Sequence, residues 1–388
     1  MQKGSKMQTV RLFDTDQYTD SFEAKVLLCE KTDTGYKILL DKTAFFPEAG
    51  GQPCDTGVLD DIPVSFVKEE NGKIYHYVEK PLCEGSTVKG KIDFDRRFCF
   101  MQNHSGEHIV SGIVHRKYGF NNVGFHLNEK FVTLDFDGIL SREQLDEIED
   151  EANKAVFENH PIRAYYPSKE EAKTVSYRSK KEVEGALRLV EIEGVDICAC
   201  CAPHVSSTGE IGIIKLLDIS RMRGGIRIVL KCGKYALSDY RNKYKNISNI
   251  SDMLSAKQEE SADAVHNLLS KYDDIKRDLS EQNRRMIEGL VKSSAPSQRF
   301  FFVKNFEMKE LQIFSDSLHK THGGIKAVFS GESGNYNFAI CGEEEETEKI
   351  LSAFRAAFSV RGGGRNGMVQ GTVKADINAV KDFFEKEE

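Results

Sequence analysis

Short apolar runs separated by turn residues characterise the N-terminal part of the chain. Residues 24–29, 36–40 and 74–78 are strand-sized and contain β-branched or aromatic side chains, and turn residues such as Asn71-Gly72 lie between such runs. This pattern predicts a small β-barrel domain over residues 1–95.

The apolar positions of residues 96–118 take helical spacing, which predicts a core helix. Strand-like residues 130–136 follow, and then a helix that ends at about Asn159, for which Ser141 is the expected N-cap. Further strands are predicted at residues 186–192, 211–219 and 226–232. Residues 96–240 are therefore expected to form a central α+β domain.

Residues 246–293 repeat seam positions at alternating spacings of three and four, as in a coiled coil. These positions are Val265, Leu268, Tyr272, Ile275, Leu279, Gln282 and Met286. The pattern predicts one long helix within a helical linker over residues 241–297. Strand and helix patterns then alternate, which predicts a C-terminal α/β domain over residues 298–388 and an α+β fold class for the whole chain.

The composition of 39% hydrophobic and 30% charged residues is that of a folded globular protein. No segment approaches the roughly 20 consecutive apolar residues of a membrane span, so a membrane partner is not expected. The nine cysteines are mostly scattered singly, which indicates reduced thiols and a cytoplasmic location.

The net charge of -7 argues against a protein that coats nucleic acid without specificity. Residues 215–245 nevertheless contain nine Lys/Arg against two Asp. Arg221, Arg223 and Arg227 in this stretch are candidate nucleic-acid contacts, although the solvated face of a sheet has the same composition.

Two pairs of residues have the spacing and chemistry of metal ligands. His104 and His108 are four residues apart, which places both imidazoles on one face of a helix. Cys200 and His204 have the same spacing, but Pro203 makes a regular helix there unfavourable, so a loop or strand end should carry them. Zn²⁺ takes imidazole and thiolate ligands together, and the joint occurrence predicts a zinc site.

This order of motifs, continued by Val205-Ser206-Ser207-Thr208-Gly209, resembles the editing domain of alanyl-tRNA synthetases and of the free-standing AlaX proteins. The segment from Phe46 to Gly57, with Gly50-Gly51-Gln52, resembles the glycine-rich motif of the family's N-terminal domain. The segment from Gly362 to Gly371 resembles the closing motif of the DHH-associated domain. The resemblance covers nearly the whole chain and is to the long AlaX form.

The sequence departs from the family at the second metal motif. Cys200-Cys201-Ala202-Pro203-His204 stands where the family usually has Cys-Gly-Gly-Thr-His. Both ligand positions survive, so the departure bears on the choice of amino acid more than on metal binding. Cys198 or Cys201 could replace or join Cys200 as a zinc ligand.

The resemblance implies a zinc-dependent hydrolase that removes a wrongly attached amino acid, serine or glycine, from alanine tRNA. His104, His108, Cys200 and His204 would hold the metal. Glu107 is a candidate base, with the alternative that it faces solvent. Gln52, Gln102 and His126 are candidate substrate contacts, with the alternative that each is structural.

The partner implied is the mischarged tRNA. Besides the basic stretch, Gly363, Gly364 and Arg365 are candidate tRNA contacts, with a tight loop as the alternative for the glycines. A homodimer through the helix of residues 246–293 and the C-terminal domain is also expected. Two rival interpretations stay open: editing of another tRNA, as in threonyl-tRNA synthetases, and a non-catalytic zinc module that binds tRNA.

Overall fold

Strands form in the N-terminal region because apolar side chains alternate with polar ones along the chain. In the computed structural model, which describes residues 8–179 and 186–386, every second side chain of Lys73–Val78 and of Thr87–Ile92 is buried. The elements of this region are β1 (Val10–Arg11), α1 (Leu12–Thr15), β2 (Ser21–Thr32), β3 (Gly35–Leu40), β4 (Lys42–Thr43), β5 (Gly57–Leu59), β6 (Ile62–Glu70), β7 (Lys73–Val78) and β8 (Thr87–Ile92). Strands β2, β3, β7, β6, β5 and β8 close into a barrel.

A long buried helix follows the barrel. Helix α2 (Phe94–Tyr118) begins where the Asp93 side chain accepts a hydrogen bond from Arg96 N, and ends at Gly119 in the left-handed conformation. Nearly every side chain of residues 97–114 is buried, so α2 runs through the centre of its unit rather than along its surface.

The helix is surrounded by two sheets and a second helix. The elements are β9 (Asn122–Leu127), β10 (Val132–Phe136), α3 (Arg142–Glu158), β11 (Ile162–Tyr165), α4 (Glu171–Thr174), β12 (Leu189–Ile192), β13 (Asp196–Ala199), β14 (Ile214–Met222) and β15 (Gly225–Cys232). The first sheet has the order β14-β15-β10-β9, and the second has the order β11-β12-β13. The mixed α and β class predicted from the sequence is confirmed.

Local signals located some element boundaries better than others. Ser141 caps α3 as predicted, through a capping box with Gln144. The strand predicted at residues 211–219 is displaced, because Thr208–Ile211 form a 3₁₀ turn and β14 begins at Ile214. Part of the strand predicted at 186–192 adjoins residues 180–185, which lie outside the described residues.

A buried ion pair joins the barrel to α2. The Arg97 guanidinium pairs with Asp55, with its Nε 2.9 Å from Oδ1, and also donates to the Ala44 carbonyl at 2.7 Å. Asp55 in turn accepts from Phe46 N at 2.7 Å. Because both charged groups are buried and hydrogen-bonded, they fix the barrel against the helix.

The chain divides into two compact units, Met1–Asn246 and Ile247–Glu388. Helix α5 (Gly233–Leu254) crosses the boundary between them. The remaining elements are α6 (Ser261–Ser293), β16 (Phe300–Phe302), α7 (Met308–His322), β17 (Lys326–Glu332), β18 (Asn335–Cys341), α8 (Glu344–Ala357), β19 (Ser359–Arg365), β20 (Met368–Lys374) and α9 (Ile377–Lys386). Their sheet has the order β16-β17-β18-β20-β19.

The structure corrects two predictions in the second unit. The single helix expected over residues 246–293 is interrupted between Leu254 and Ser261, where Ser255 takes a left-handed conformation. Gly363 and Gly364 lie in strand β19 and not in a loop. A Cβ on Gly364 would be 1.8 Å from the Met368 carbonyl oxygen, so the glycine permits close pairing with β20.

The turn between these two strands is formed by Asn366 and Gly367. Both have positive φ, 57° and 74°, as a two-residue type I′ hairpin turn requires. None of the helices in the described part of the chain is both long and apolar enough to cross a membrane.

Burial of His76 makes the stability of the barrel depend on pH. The ring lies in the barrel core, with Nε2 2.8 Å from Thr43 Oγ1 and Nδ1 3.2 Å from the Ile38 carbonyl. Loss of hydration lowers the pKa of His76 to about 4. The unfolded chain, with a histidine pKa of about 6.5, therefore binds more protons between these values, and stability falls as the pH decreases from the upper to the lower value.

We expect the free energy of unfolding to fall by about 2 kcal/mol more between about pH 7 and pH 5 in the unaltered protein than in His76→Gln. Urea unfolding of both proteins at both pH values measures this difference. Contributions of all other groups are common to the two proteins and cancel. An equal loss of stability in both would contradict the assigned neutral, buried state of His76.

Candidate metal centre

Four side chains from α2 and from one irregular segment converge at one point. His104 and His108 lie one turn apart on α2, whereas Cys200 and His204 lie in the segment that follows β13. One ligand atom of each of the four residues lies within 4.8 Å of the others. Cys200 Sγ is 3.6 Å from His104 Nε2 and 3.4 Å from His204 Nε2.

These distances fit the ligand set of a zinc ion. Zinc–sulfur and zinc–nitrogen bonds of about 2.3 and 2.0 Å at a tetrahedral angle place a sulfur and a nitrogen ligand about 3.5 Å apart. Three imidazoles and one thiolate also match the preference of zinc for nitrogen and sulfur donors. The residues that the sequence pattern selected could therefore hold this metal together.

His104 is oriented by the glycine-rich segment of the barrel region. Its Nδ1 is 2.8 Å from the side-chain oxygen of Gln52, and its ring packs against Phe125 with a centroid distance of 4.6 Å. When Nδ1–H donates to Gln52, the lone pair of Nε2 is available to a metal. Gln52 is fully buried, so its position is well suited to fixing the His104 ring.

His204 is oriented by α2 itself. Its Nδ1 is 3.0 Å from Ser105 Oγ, and the same oxygen accepts a hydrogen bond from Val205 N at 3.3 Å. Ser105 therefore ties the end of the irregular segment to the helix that carries His104 and His108. In this arrangement Nδ1–H of His204 donates to Ser105 and Nε2 faces Cys200.

His108 has a carboxylate behind it. Its Nδ1 is 3.7 Å from Asp196 Oδ2, and Arg178 forms two hydrogen bonds with the same carboxylate at 2.7 and 2.6 Å. Asp196 can approach because Gly112 has no side chain: a Cβ there would be 2.7 Å from Asp196 Cβ. A carboxylate beside a metal-binding imidazole typically orients the ring and increases its basicity.

The interpretation of Glu107 as a solvent-facing residue is wrong. Glu107 is fully buried, and one of its carboxylate oxygens accepts hydrogen bonds from Ser111 Oγ at 2.7 Å and from Asn122 Nδ2 at 2.8 Å. The helix is enclosed on all sides, so a position offset from the histidines still lies in the interior.

The other two candidate substrate contacts lie apart from the four ligands. The Gln102 amide donates to the Glu210 carbonyl at 2.9 Å and accepts from Lys234 N at 3.2 Å. These backbone groups occupy the amide, which favours the structural alternative for this residue. His126 is exposed on β9, and strand alternation turns it away from the side on which Phe125 contacts His104.

The neighbouring cysteines differ from Cys200 in position. Cys198 lies on β13 and forms a separate group of potential ligands with His108 and Asp196. Arg178 already neutralises the carboxylate of that group, which disfavours a second cation there. Cys201 is exposed beside Gly50 and is not one of the four converging residues.

A cleft of about 560 Å³ opens beside one of the four ligands. Its lining includes His204, and also Arg188, Arg163 and Asp14. His204 itself borders this cleft but is only 3% exposed.

The candidate nucleic-acid contacts differ in whether a carboxylate pairs with the arginine side chain. Arg227 forms two hydrogen bonds with Asp135, at 2.7 and 2.8 Å. Arg221 and Arg223 are exposed at the tip of the β14–β15 hairpin, and no carboxylate in the described residues pairs with either. Arg365 is exposed at the end of β19, in the second unit.

Two residues that lie directly behind the ligands, Ser105 and Asp196, were not predicted from the sequence. One signal was present for Asp196: it alternates with Cys198 on β13, two residues before Cys200, so both side chains point to one side of the strand. Ser105 had no such signal, because its partners His204 and Val205 lie about 100 residues further along the chain.

A sequence model of a known domain matches the part of the chain that contains two of the four ligands. The sequence model of the threonyl and alanyl tRNA synthetase second additional domain matches residues 187–229. This range contains Cys200 and His204.

Longer similarities extend over most of the chain. The alanine–tRNA ligase of Ignicoccus hospitalis is 26% identical over 92% of this chain, which spans only 44% of that enzyme. The alanyl-tRNA editing protein AlaX-L of Pyrococcus horikoshii is 26% identical, and the match covers 96% of both chains. The alanyl-tRNA editing protein Aarsd1-A of Xenopus laevis is 27% identical over 88% of this chain and 85% of its own length.

The chain thus resembles part of the alanine–tRNA ligases as a class. More particularly, it is similar along nearly its whole length to the free-standing alanyl-tRNA editing proteins. The resemblance to the AlaX type predicted from the motifs is confirmed.

The two neighbouring cysteines provide a test of the ligand set. We expect Cys200→Ser to lower the affinity for Zn²⁺ by at least about tenfold, the loss that even an outer partner of a ligand typically causes. Cys198→Ser should leave the affinity nearly unchanged. Competition with a chromophoric chelator measures both, and an equal or larger loss in Cys198→Ser would transfer the thiolate ligand to β13.

Proposed function

We propose that this protein is a zinc-dependent hydrolase that removes serine or glycine wrongly attached to alanine tRNA. The observation that carries the proposal is the convergence of His104, His108, Cys200 and His204 beside a cleft of about 560 Å³. The similarity to proteins that are named alanyl-tRNA editing proteins over nearly their full length supports it.

In the reaction, a water molecule attacks the carbonyl of the ester that joins the amino acid to the terminal ribose. A zinc ion bound to the four ligands would supply charge stabilisation for the ester carbonyl or for a deprotonated water. Gln52, Ser105 and Asp196 fix the orientation of the ligand imidazoles through the contacts described above.

Of the predicted catalytic residues, two lie next to the four ligands and two lie away from them. We assign Gln52 and Glu107 to the buried shell of the site, where Gln52 orients His104 and Glu107 lies next to His108, with its Oε2 3.7 Å from His108 Nε2. We assign Gln102 a structural role, because its amide is hydrogen-bonded to the backbone of Glu210 and Lys234. We assign His126 to the exposed surface of β9.

For tRNA binding we propose that the exposed arginines contact phosphates. Arg221 and Arg223 have charges that no described carboxylate neutralises, whereas Arg227 is already paired with Asp135. Arg365, beside Gly363 and Gly364 on the edge strand β19, is the proposed contact of the second unit. Arginine pairs with phosphate through two parallel hydrogen bonds.

The assignment of segments follows the same resemblance. We propose a barrel domain over residues 1–95, an editing domain over 96–240, a helical linker over 241–297 and a DHH-associated domain over 298–388. The seam of α6 is exposed, with Leu268 at 55% and Ile275 at 66%, which supports a homodimer through this helix.

One observation favours a second function. Four protein ligands fill the tetrahedral coordination of zinc, as they do in structural sites. A non-catalytic zinc module that binds tRNA is therefore the alternative. The domain model that matches residues 187–229 is named for threonyl as well as alanyl tRNA synthetases. Other mischarged tRNAs are therefore alternative substrates.

We expect the purified protein to release serine or glycine, but not alanine, from alanine tRNA charged with each amino acid. His108→Ala and removal of the metal by a chelator should both abolish release, because the ligand set is then incomplete. Release is measured by following the labelled amino acid, with serine-charged threonine tRNA in the same panel.

His115→Ala is the matched control in this assay, because His115 is an exposed histidine of the same helix α2 and is not one of the four ligands. Binding of the charged tRNAs without release would replace the hydrolase by the structural-zinc alternative. Release from threonine tRNA alone would change the substrate but keep the enzyme.

We expect Arg221→Ala with Arg223→Ala to weaken tRNA binding and to reduce the dependence of the binding constant on salt by about one counterion for each phosphate that is no longer neutralised. Fluorescence anisotropy over a series of salt concentrations measures both. Arg227→Ala should have a smaller effect because Asp135 already neutralises its charge. A larger effect of Arg227→Ala would contradict the proposed surface.

A further inference from the structure

The segment that supplies two of the four ligands has no regular secondary structure. Strand β13 ends at Ala199, and the 3₁₀ turn begins only at Thr208. Cys200 and His204 must nevertheless hold Sγ and Nε2 3.4 Å apart. Neither a helix nor a sheet ladder fixes this geometry, so another interaction has to define the curvature of the backbone.

Arg188, the residue directly before β12, provides this interaction. Its Nη1 donates hydrogen bonds to the carbonyl oxygens of Cys200 and Ala202, at 3.0 and 2.9 Å. Its own carbonyl accepts from Cys200 N at 3.1 Å. Arg188 therefore contacts the segment Cys200–His204, here called the metal-binding segment, through its own backbone carbonyl and through its side chain. The side chain bridges two carbonyls that lie two residues apart.

The guanidinium is itself held in place. Arg188 is 8% exposed, and its Nε lies 3.7 Å from Asp14 Oδ1 in the N-terminal helix α1. Asp14 also accepts a hydrogen bond from the Tyr166 hydroxyl at 3.1 Å. A buried cation that is hydrogen-bonded to carbonyls and adjacent to a carboxylate has little freedom to move.

We propose that Arg188 is a positioning residue of the metal centre, which shapes the Cys200–His204 segment so that both ligands reach one ion. Cys201-Ala202-Pro203, between the two ligands, contains no glycine, and Arg188 holds this segment in the conformation that brings Cys200 and His204 together. The inference rests on the proposed metal centre but not on the proposed hydrolysis. Metal affinity measured without tRNA separates the two.

The alternative role for Arg188 is a substrate contact, because its side chain also lines the cleft beside His204. A substrate contact would change binding of the tRNA and leave the metal unaffected. A positioning residue acts in the absence of tRNA, since its carbonyl partners belong to the metal-binding segment.

We expect Arg188→Met to lower the affinity for Zn²⁺ by about 10- to 100-fold, as loss of an outer partner of a metal site does. Chelator competition measures the affinity. The spectrum of the Co²⁺-substituted protein should also change in its thiolate-to-metal charge-transfer band, because the position of Cys200 changes. Arg188→Lys should restore part of the affinity, since one ammonium group can still donate to a carbonyl.

Arg163→Met is the matched control. Arg163 is exposed in the same cleft, and no hydrogen bond in the described residues joins it to the metal-binding segment. Its loss should leave Zn²⁺ affinity and the Co²⁺ spectrum unchanged. If Arg188→Met does not fold, Arg188→Lys and Asp14→Asn carry the test, with affinity losses smaller than that of a ligand variant.

Unchanged Zn²⁺ affinity and an unchanged Co²⁺ spectrum in folded Arg188 variants would overturn the proposal. If these variants instead raised the KM for the charged tRNA, Arg188 would be a substrate contact. Loss of metal affinity in a protein that never hydrolyses any charged tRNA would uphold the positioning role and reject the hydrolase.

Discussion

The structure of the first unit depends on the need to satisfy polar side chains that α2 carries into the interior. Arg97, Asn103, His104, Ser105, Glu107 and His108 are all buried on this one helix. A buried polar group without a hydrogen-bond partner costs several kcal/mol. Each neighbouring element must therefore bring a partner to α2, and the partners fix where those elements lie.

The partners come from every side of the helix. The barrel region supplies Asp55 to Arg97 and Gln52 to His104, and β9 supplies Asn122 to Glu107. Asn103 is used by β15, whose Cys232 N donates to its side-chain oxygen at 2.8 Å. The candidate metal centre is the part of this polar interior in which the partners of α2 are a thiol and a third imidazole.

The second half of the centre has to be held by side chains because it lacks a backbone ladder. Ser105 joins His204 and Val205 to α2, and Arg188 joins the carbonyls of Cys200 and Ala202 to β12 and to Asp14. The irregular segment is thereby attached to two rigid elements. His204 and Val205 of this segment line the cleft.

Features that depend on spacing along one element could be predicted from the amino-acid sequence. These include the pairing of His104 with His108 on a helix, the cap of α3 at Ser141 and the mixed α and β class. Packing between distant segments was needed to show that Glu107 is enclosed, that Asp196 and Arg188 support the ligands, and that Gly363 and Gly364 lie in a strand. Spacing along the chain specifies which side chains share a face of a helix or strand. The burial of that face and its hydrogen-bond partners depend on which distant segments pack against it, and the local sequence does not specify those segments.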